Sequence, residues 1–224
     1  MSVKMTQPSA ATLVINEIYK SVQGESSHAG FPCTFVRLAY CDLRCVWCDS
    51  EHTFYKGDKM SLATILDEVK RLNVPMVEVT GGEPLLQPNV HPLMTALADQ
   101  GCKVLLETSG AHDISPVDPR VHTIMDLKCP DSGMCGKNRL ENIPLLQKKD
   151  EVKFVLASRK DYEWARNMIA RHDIEKRAGE ILLSAVFTKI DPKQIVEWLL
   201  ADHLPVRFQL QMHKYIWEPT TRGV

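Results

Sequence analysis

Three cysteines fall within the stretch Cys41-Asp42-Leu43-Arg44-Cys45-Val46-Trp47-Cys48, a CxxxCxxC spacing. A loop this short can turn three sulfurs toward one centre, whereas disulfides use sulfurs in twos and would strand the third. Metal ligation is the chemistry this points to. Structural zinc usually takes a closed set of four Cys or His ligands, but a four-iron cube held by three thiolates keeps one iron open to bind something else. A turn with packing thiols, or a zinc-stabilised binding module without catalysis, is the alternative.

Two further groups of polar residues follow apolar runs. Gly81-Gly82-Glu83-Pro84 comes after Met76 to Val79; its glycines let the backbone approach a ligand with free amides, and Glu83 offers a carboxylate to a cation. Glu107-Thr108-Ser109-Gly110 follows Val104-Leu105-Leu106 and brings a carboxylate and hydroxyls. Alone, each is an ordinary polar turn.

The elements that must position these groups alternate along the chain. Strand-like runs are Leu13 to Tyr19, Thr34 to Leu38, Met76 to Val79, Val104 to Leu106, Thr123 to Met125, Val152 to Leu156, Ile181 to Phe187 and Val206 to Leu210. Between them, helical spacing runs from a Ser61 cap to about Leu72, from Val90 to Gln100 with Gly101 as the stop, weakly from Asn138 to Gln147, from a Ser158 cap to Arg171, and from Asp191-Pro192 to Leu200. Strands separated by helices imply parallel pairing with right-handed crossovers. The polar motifs sit at the C-terminal ends of strands, where an α/β barrel gathers its active site. A full eightfold barrel takes about 250 residues, so this α/β chain of 224 residues fits a partial, open TIM-like barrel of about six parallel strands with helices outside. Residues 1–11 read as a flexible leader and 12–224 as one domain.

Composition narrows the classes. With 27 basic and 28 acidic side chains there is no basic field for gripping nucleic acid, which favours a small substrate. Seven cysteines, irregular spacing and no apolar N-terminal segment suggest a reducing, cytoplasmic setting. No run is long enough to span a bilayer.

A CxxxCxxC loop with Trp47 before its last cysteine, followed by Gly-Gly-Glu-Pro, resembles the radical S-adenosylmethionine (SAM) superfamily. The resemblance implies a [4Fe-4S] cluster on Cys41, Cys45 and Cys48, with SAM chelating the open iron. It places Gly82, Glu83, Glu107, Ser109, Asp126, Leu127 and Lys128 around SAM, although Lys128 reads equally as a solvated surface charge. Gln23-Gly24-Glu25, the run Gly30 to Leu38, Cys48-Asp49-Ser50, Asp126 to Pro130 with Ser132-Gly133, and Gln211 to Lys214 are more narrowly similar to the 7-carboxy-7-deazaguanine synthase family of queuosine biosynthesis.

That likeness implies a lyase acting on 6-carboxy-5,6,7,8-tetrahydropterin, as a homodimer reduced by flavodoxin or a ferredoxin-type donor. Val22, Gln23, Gly24, Glu25, Arg37, Thr80 and His213 become substrate-binding residues. Arg37 suits a bidentate pair with a carboxylate, and otherwise a strand-end salt bridge. Mg²⁺ falls to Ser50, where the family usually has threonine; serine keeps the hydroxyl that a hard cation takes. Ser26 stands where the family usually has glycine. Cys33, Cys102, Cys129 and Cys135 read as packing thiols. A radical SAM enzyme that activates a partner protein by installing a glycyl radical is the rival within the superfamily.

Overall fold

The computed structural model describes residues 11–224, so the leader expected at 1–11 lies almost wholly outside the described residues. Nine strands form one sheet: β1 (Thr12–Val22), β2 (Pro32–Leu38), β3 (Asp58–Ser61), β4 (Met76–Gly81), β5 (Lys103–Thr108), β6 (His122–Asp126), β7 (Glu151–Leu156), β8 (Glu180–Ala185) and β9 (Arg207–Gln209). Their order is β3-β1-β2-β4-β5-β6-β7-β8-β9. From β2 through β9 every neighbouring pair is parallel, while β1 runs antiparallel to both β2 and β3. The two ends of the sheet, β3 and β9, are not paired, so the barrel is open.

Helices α1 (Leu62–Leu72), α2 (Val90–Asp99), α3 (Arg159–Arg171), α4 (Ile174–Arg177), α5 (Pro192–Ala201) and α6 (His213–Ile216) connect or follow the strands. The capping signals act as expected: Ser61 accepts from Thr64 N–H, Ser158 from Asp161 N–H, and Asp191 from Lys193 N–H ahead of Pro192.

Alternation along the strands builds two different faces. Val36, Leu38, Val77, Val79, Leu106, Val152 and Phe154 join helix residues such as Ile65, Val69, Leu93 and Ile169 in the main core. Each such buried side chain contributes about 1.5–3 kcal/mol. On the opposite face a small apolar layer of Cys33, Phe35, Met76, Leu105 and Ile124 packs with Tyr19, whose ring stacks on Phe35. Ionisable side chains share that inner face, among them Arg37, Glu78, Glu107, Asp126 and Lys153.

The expectation of about six parallel strands is corrected to seven, with two antiparallel strands at one edge. β1 and β2 are joined by a turn closed by Gln23 N–H to Phe31 O at 2.8 Å and Gly30 N–H to Gln23 O at 2.8 Å. With no helix between them, they pair antiparallel. β3 is four residues, mostly polar, and carries no strand pattern. The helix expected over Asn138 to Gln147 is instead a 3-10 segment, Leu140–Leu145, with Pro144 inside it. No helix of the described residues is long and apolar enough to cross a membrane.

Candidate active site

The cysteine loop leaves the C-terminal end of β2 and is held at several points. Tyr40 turns it in a left-handed conformation at φ 77°, donating to Thr53 O at 2.8 Å and accepting from Glu83 N–H at 2.8 Å. Gly82 must be glycine, because a Cβ there would lie 2.1 Å from Tyr40 O. Leu43 is buried, and the Arg44 guanidinium donates to the carbonyls of Cys41 and Leu43 while stacking over Phe54 at 4.1 Å. Val46 N–H reaches Ser132 O at 3.1 Å on the loop after β6. Cys41, Cys45 and Cys48 are half-buried free thiols. Burial pushes all three up, Cys48 to about 11, so ligation must release their protons.

Glu83 is turned inward rather than toward the cleft. Its carboxylate is fully buried and accepts from Leu85 N–H at 3.0 Å, Thr108 Oγ1 at 2.8 Å, Ser109 N–H at 2.7 Å and Ser109 Oγ at 2.5 Å. All its capacity is spent inside the protein, which corrects the idea that it offers a free carboxylate to a cation. Its work is to fix the Thr108-Ser109 turn beside Gly82.

Asp126, Leu127 and Lys128 end β6. Leu127 is a core residue; Lys128 is paired with Asp126 Oδ2 at 2.8 Å and is not a solvated surface charge. Burial works against charge on Lys128, yet Asp126 raises it above the ordinary lysine value. The other oxygen, Asp126 Oδ1, is buried and has no hydrogen-bond partner.

Between these rims lies a cluster of charged side chains centred on Lys153, called the chamber below, which the sequence did not single out. Its ammonium bonds Glu25 at 2.9 Å, makes a short bond to Glu107, and lies 3.9 Å from Asp126. Burial opposes the charge on Lys153, but Glu107, Glu25 and Asp126 raise it well above the ordinary value. The hint was periodicity: Glu151 and Lys153 alternate with Val152 and Phe154 on one strand.

Gln23 bonds the buried Glu78, and Gln23 Oε1 accepts from Glu25 N–H at 2.5 Å. Thr80 lies 3.5 Å from Glu107. Arg37 does form a salt bridge, to Glu17 at 2.8 Å, and also donates to Tyr19 Oη at 2.8 Å; Glu17 and Tyr19 lie on β1 beside it. Val22 closes β1 just before this turn. Ser26 takes φ 63°, the left-handed conformation a glycine would favour, so the turn shape is kept despite the side chain.

The last segment clasps the chamber. Gln211 reaches Glu25 at 3.0 Å, and Lys214 Nζ meets Asp49 at 3.0 Å. His213 packs over Gly24, where a Cβ would lie 2.3 Å from His213 Nδ1, and Met212 N–H donates to Gly24 O at 2.8 Å. Ser50, next to Asp49, has a half-buried hydroxyl within 3.1 Å of the Asp49 carboxylate. The Asp49 side chain is about half exposed, and the Lys214 ammonium beside it holds its carboxyl well below the usual carboxylate range. Of the remaining cysteines, Cys33 and Cys129 are buried and Cys102 and Cys135 half-buried, all of them free thiols.

An open parallel barrel with three free thiols on the loop after its first parallel strand defines a radical SAM enzyme, and the model of the Radical SAM superfamily matches residues 36–127. The chain belongs to the 7-carboxy-7-deazaguanine synthase family: it is 47% identical to the 7-carboxy-7-deazaguanine synthase of Koribacter versatilis (strain Ellin345) over 94% of this chain and 99% of that protein, and 47% identical to the one from Chlorobaculum tepidum over 96% and 98%. The fold matches the crystal structure of QueE from Escherichia coli with a TM-score of 0.70 at 22% identity, covering 90% of this chain and 95% of that one. These relations set aside the zinc-stabilised module and the glycyl-radical activating enzyme.

Proposed function

We propose that this chain converts 6-carboxy-5,6,7,8-tetrahydropterin to 7-carboxy-7-deazaguanine, contracting the six-membered pyrazine ring and releasing ammonia. The observation that carries this reading is the set of paired charges around Lys153, which brings Glu25, Glu107 and Asp126 together on the inner face of the sheet. A small polar substrate bearing a carboxylate and a guanine-like edge needs such a lining.

The residues suit the cofactors. Three free thiols on one loop form the donor set for a [4Fe-4S] cluster at Cys41, Cys45 and Cys48. Gly82, Ser109, Glu107, Asp126, Leu127 and Lys128 border the place for SAM, and the unpartnered Asp126 Oδ1 is an acceptor awaiting a donor. Glu83 acts from behind by holding Ser109. When bound, cluster and SAM supply the carbon radical that takes hydrogen from C6 of the substrate.

The chain's own side chains do the rest. Arg37, already oriented by Glu17 and Tyr19, and Lys153 are the cations available to a substrate carboxylate. Val22, Gln23, Gly24, Glu25, Thr80 and His213 meet the ring edges with carbonyls, amides and a carboxylate. Ser50 supplies a hydroxyl to Mg²⁺, and the ionised Asp49 beside it adds negative charge.

The reading extends to residues 12–224 as one domain on the continuous sheet, a homodimer, reduction by flavodoxin or a ferredoxin-type donor, and a cytoplasmic setting suited to free thiols. Anaerobically reconstituted protein given SAM, reductant, Mg²⁺ and the pterin should yield the deazaguanine acid by mass spectrometry. Absence of that product from protein with a complete cluster would overturn the proposal.

A further inference from the structure

At the opposite end of the barrel from the cysteine loop, three ligand-type side chains converge from separate segments. His28 lies in the β1–β2 connection, His122 is the first residue of β6, and Glu151 is the first residue of β7. One ligand atom from each lies within 4.8 Å of the other two. Glu151 is buried, its carboxylate 3.0 Å from His122 Nε2 and further held by the backbone N–H of Ser27 at 3.2 Å and by the Ser27 hydroxyl. The His28 and His122 rings meet edge to face at 4.8 Å.

A hydrogen-bonded His–Glu pair with a second imidazole packed against it would account for most of this, but not for His28. Its Nε2 is buried without a hydrogen-bond partner. Buried polar atoms without a partner are uncommon in folded proteins. The other His28 ring nitrogen, Nδ1, lies 3.3 Å from the ammonium of Lys103, an exposed side chain.

We propose that His28, His122 and Glu151 form a binding site for a divalent transition ion of the zinc type, separate from both the cysteine loop and Ser50. Two imidazoles and one carboxylate are a known three-ligand set for zinc, with the fourth position left to water. Imidazole pairs disfavour Mg²⁺ and Ca²⁺, which take oxygen. Ser27 supports the carboxylate from behind, as outer partners of metal ligands do. A cavity of about 410 Å³ borders His122, Glu151 and Ser27, with the cations Lys103, Arg120, Lys148 and Lys149 elsewhere in its lining.

The consequence is mechanical. An ion there would bind the connection that carries Gln23 and Glu25 to the starts of β6 and β7, and so brace the floor of the chamber. The site stands on its own residues and does not depend on which reaction the chamber performs.

Cluster-loaded full-length protein, stripped of adventitious metal and then dialysed against Zn²⁺, should retain about one zinc per chain by elemental analysis. Zinc should also raise its melting temperature by several degrees, because a ligand that binds only the folded state stabilises it. His28→Gln and His122→Gln, with iron content unchanged as the sign of a folded, loaded protein, should each lose the zinc and the shift. No zinc on the wild-type protein, or equal zinc on wild type and both iron-replete variants, would overturn the proposal.

Discussion

The Ser109 hydroxyl donates to Glu83 Oε2 at 2.5 Å, and the Ser109 backbone N–H donates to the same oxygen at 2.7 Å. This pair of hydrogen bonds from one residue to one buried carboxylate sets the turn at the end of β5 against the glycines at the end of β4. Glu83→Gln keeps the shape but replaces an acceptor-only carboxylate with an amide that must direct two donors at donors. Charge-assisted bonds of this kind are worth about 1.5–3 kcal/mol. SAM affinity, measured by calorimetry on cluster-loaded protein, is expected to fall about tenfold or more; affinity equal to wild type would show that the turn holds itself.

Cys45→Ala removes one of three ligands from a loop whose shape rests on Leu43, Arg44 and Val46. Anaerobic iron and sulfide should drop from the level of one cubane to background, while far-UV circular dichroism stays native. Cys102→Ala should leave the iron unchanged. A full iron complement on the Cys45 variant would remove that residue from the ligand set.

Lys153→Met strands Glu25 and Glu107 around an apolar side chain in the chamber. Breaking a buried pair from one side costs about 3–5 kcal/mol, since the remaining charges lose their counterion. Urea unfolding should register that loss, and adding Glu107→Gln to the same protein should recover part of it. Equal stability of wild type and Lys153→Met would mean the chamber is wetter and less coupled than its burial implies.

Glu78 gives a pH signature. Burial, then the neighbouring Glu107 and Glu25, raise its pKa well above the ordinary carboxylate value. The folded protein therefore keeps a proton that the unfolded chain releases, so this stabilising contribution is complete below the unfolded pKa and is lost as pH climbs through the folded one. As pH rises above the ordinary carboxylate range, wild-type stability should decline relative to Glu78→Gln. Urea midpoints across that rise test it, and parallel curves for the two proteins would contradict it.

How much of this was legible beforehand varied with the kind of signal. The cysteine loop and the two polar turns stand out because their residue types are costly without a task and their spacing is local. The strands under the helices follow from runs of β-branched residues, since a parallel sheet is covered on its outer face. Lys153 and Glu78 were hidden because a charge inside an apolar strand looks the same whether it faces water or a closed chamber. Only the curvature of the whole sheet, a property of seven paired strands, turns that face inward. Glu83 was placed in the right turn but given the wrong direction, because residue type says what a carboxylate can accept and not which donors reach it first. β3 carries no pattern of its own and is recruited by the free edge of β1.

The contact between Gly24 and His213 carries an evolutionary corollary. Because a single carbon added at 24 would collide with the imidazole at 213, the two positions cannot drift independently. Any lineage that acquires alanine or larger at the first must already have a smaller or displaced partner at the second. A chain with a larger residue at 24 is therefore expected to carry the side chain at 213 in another position.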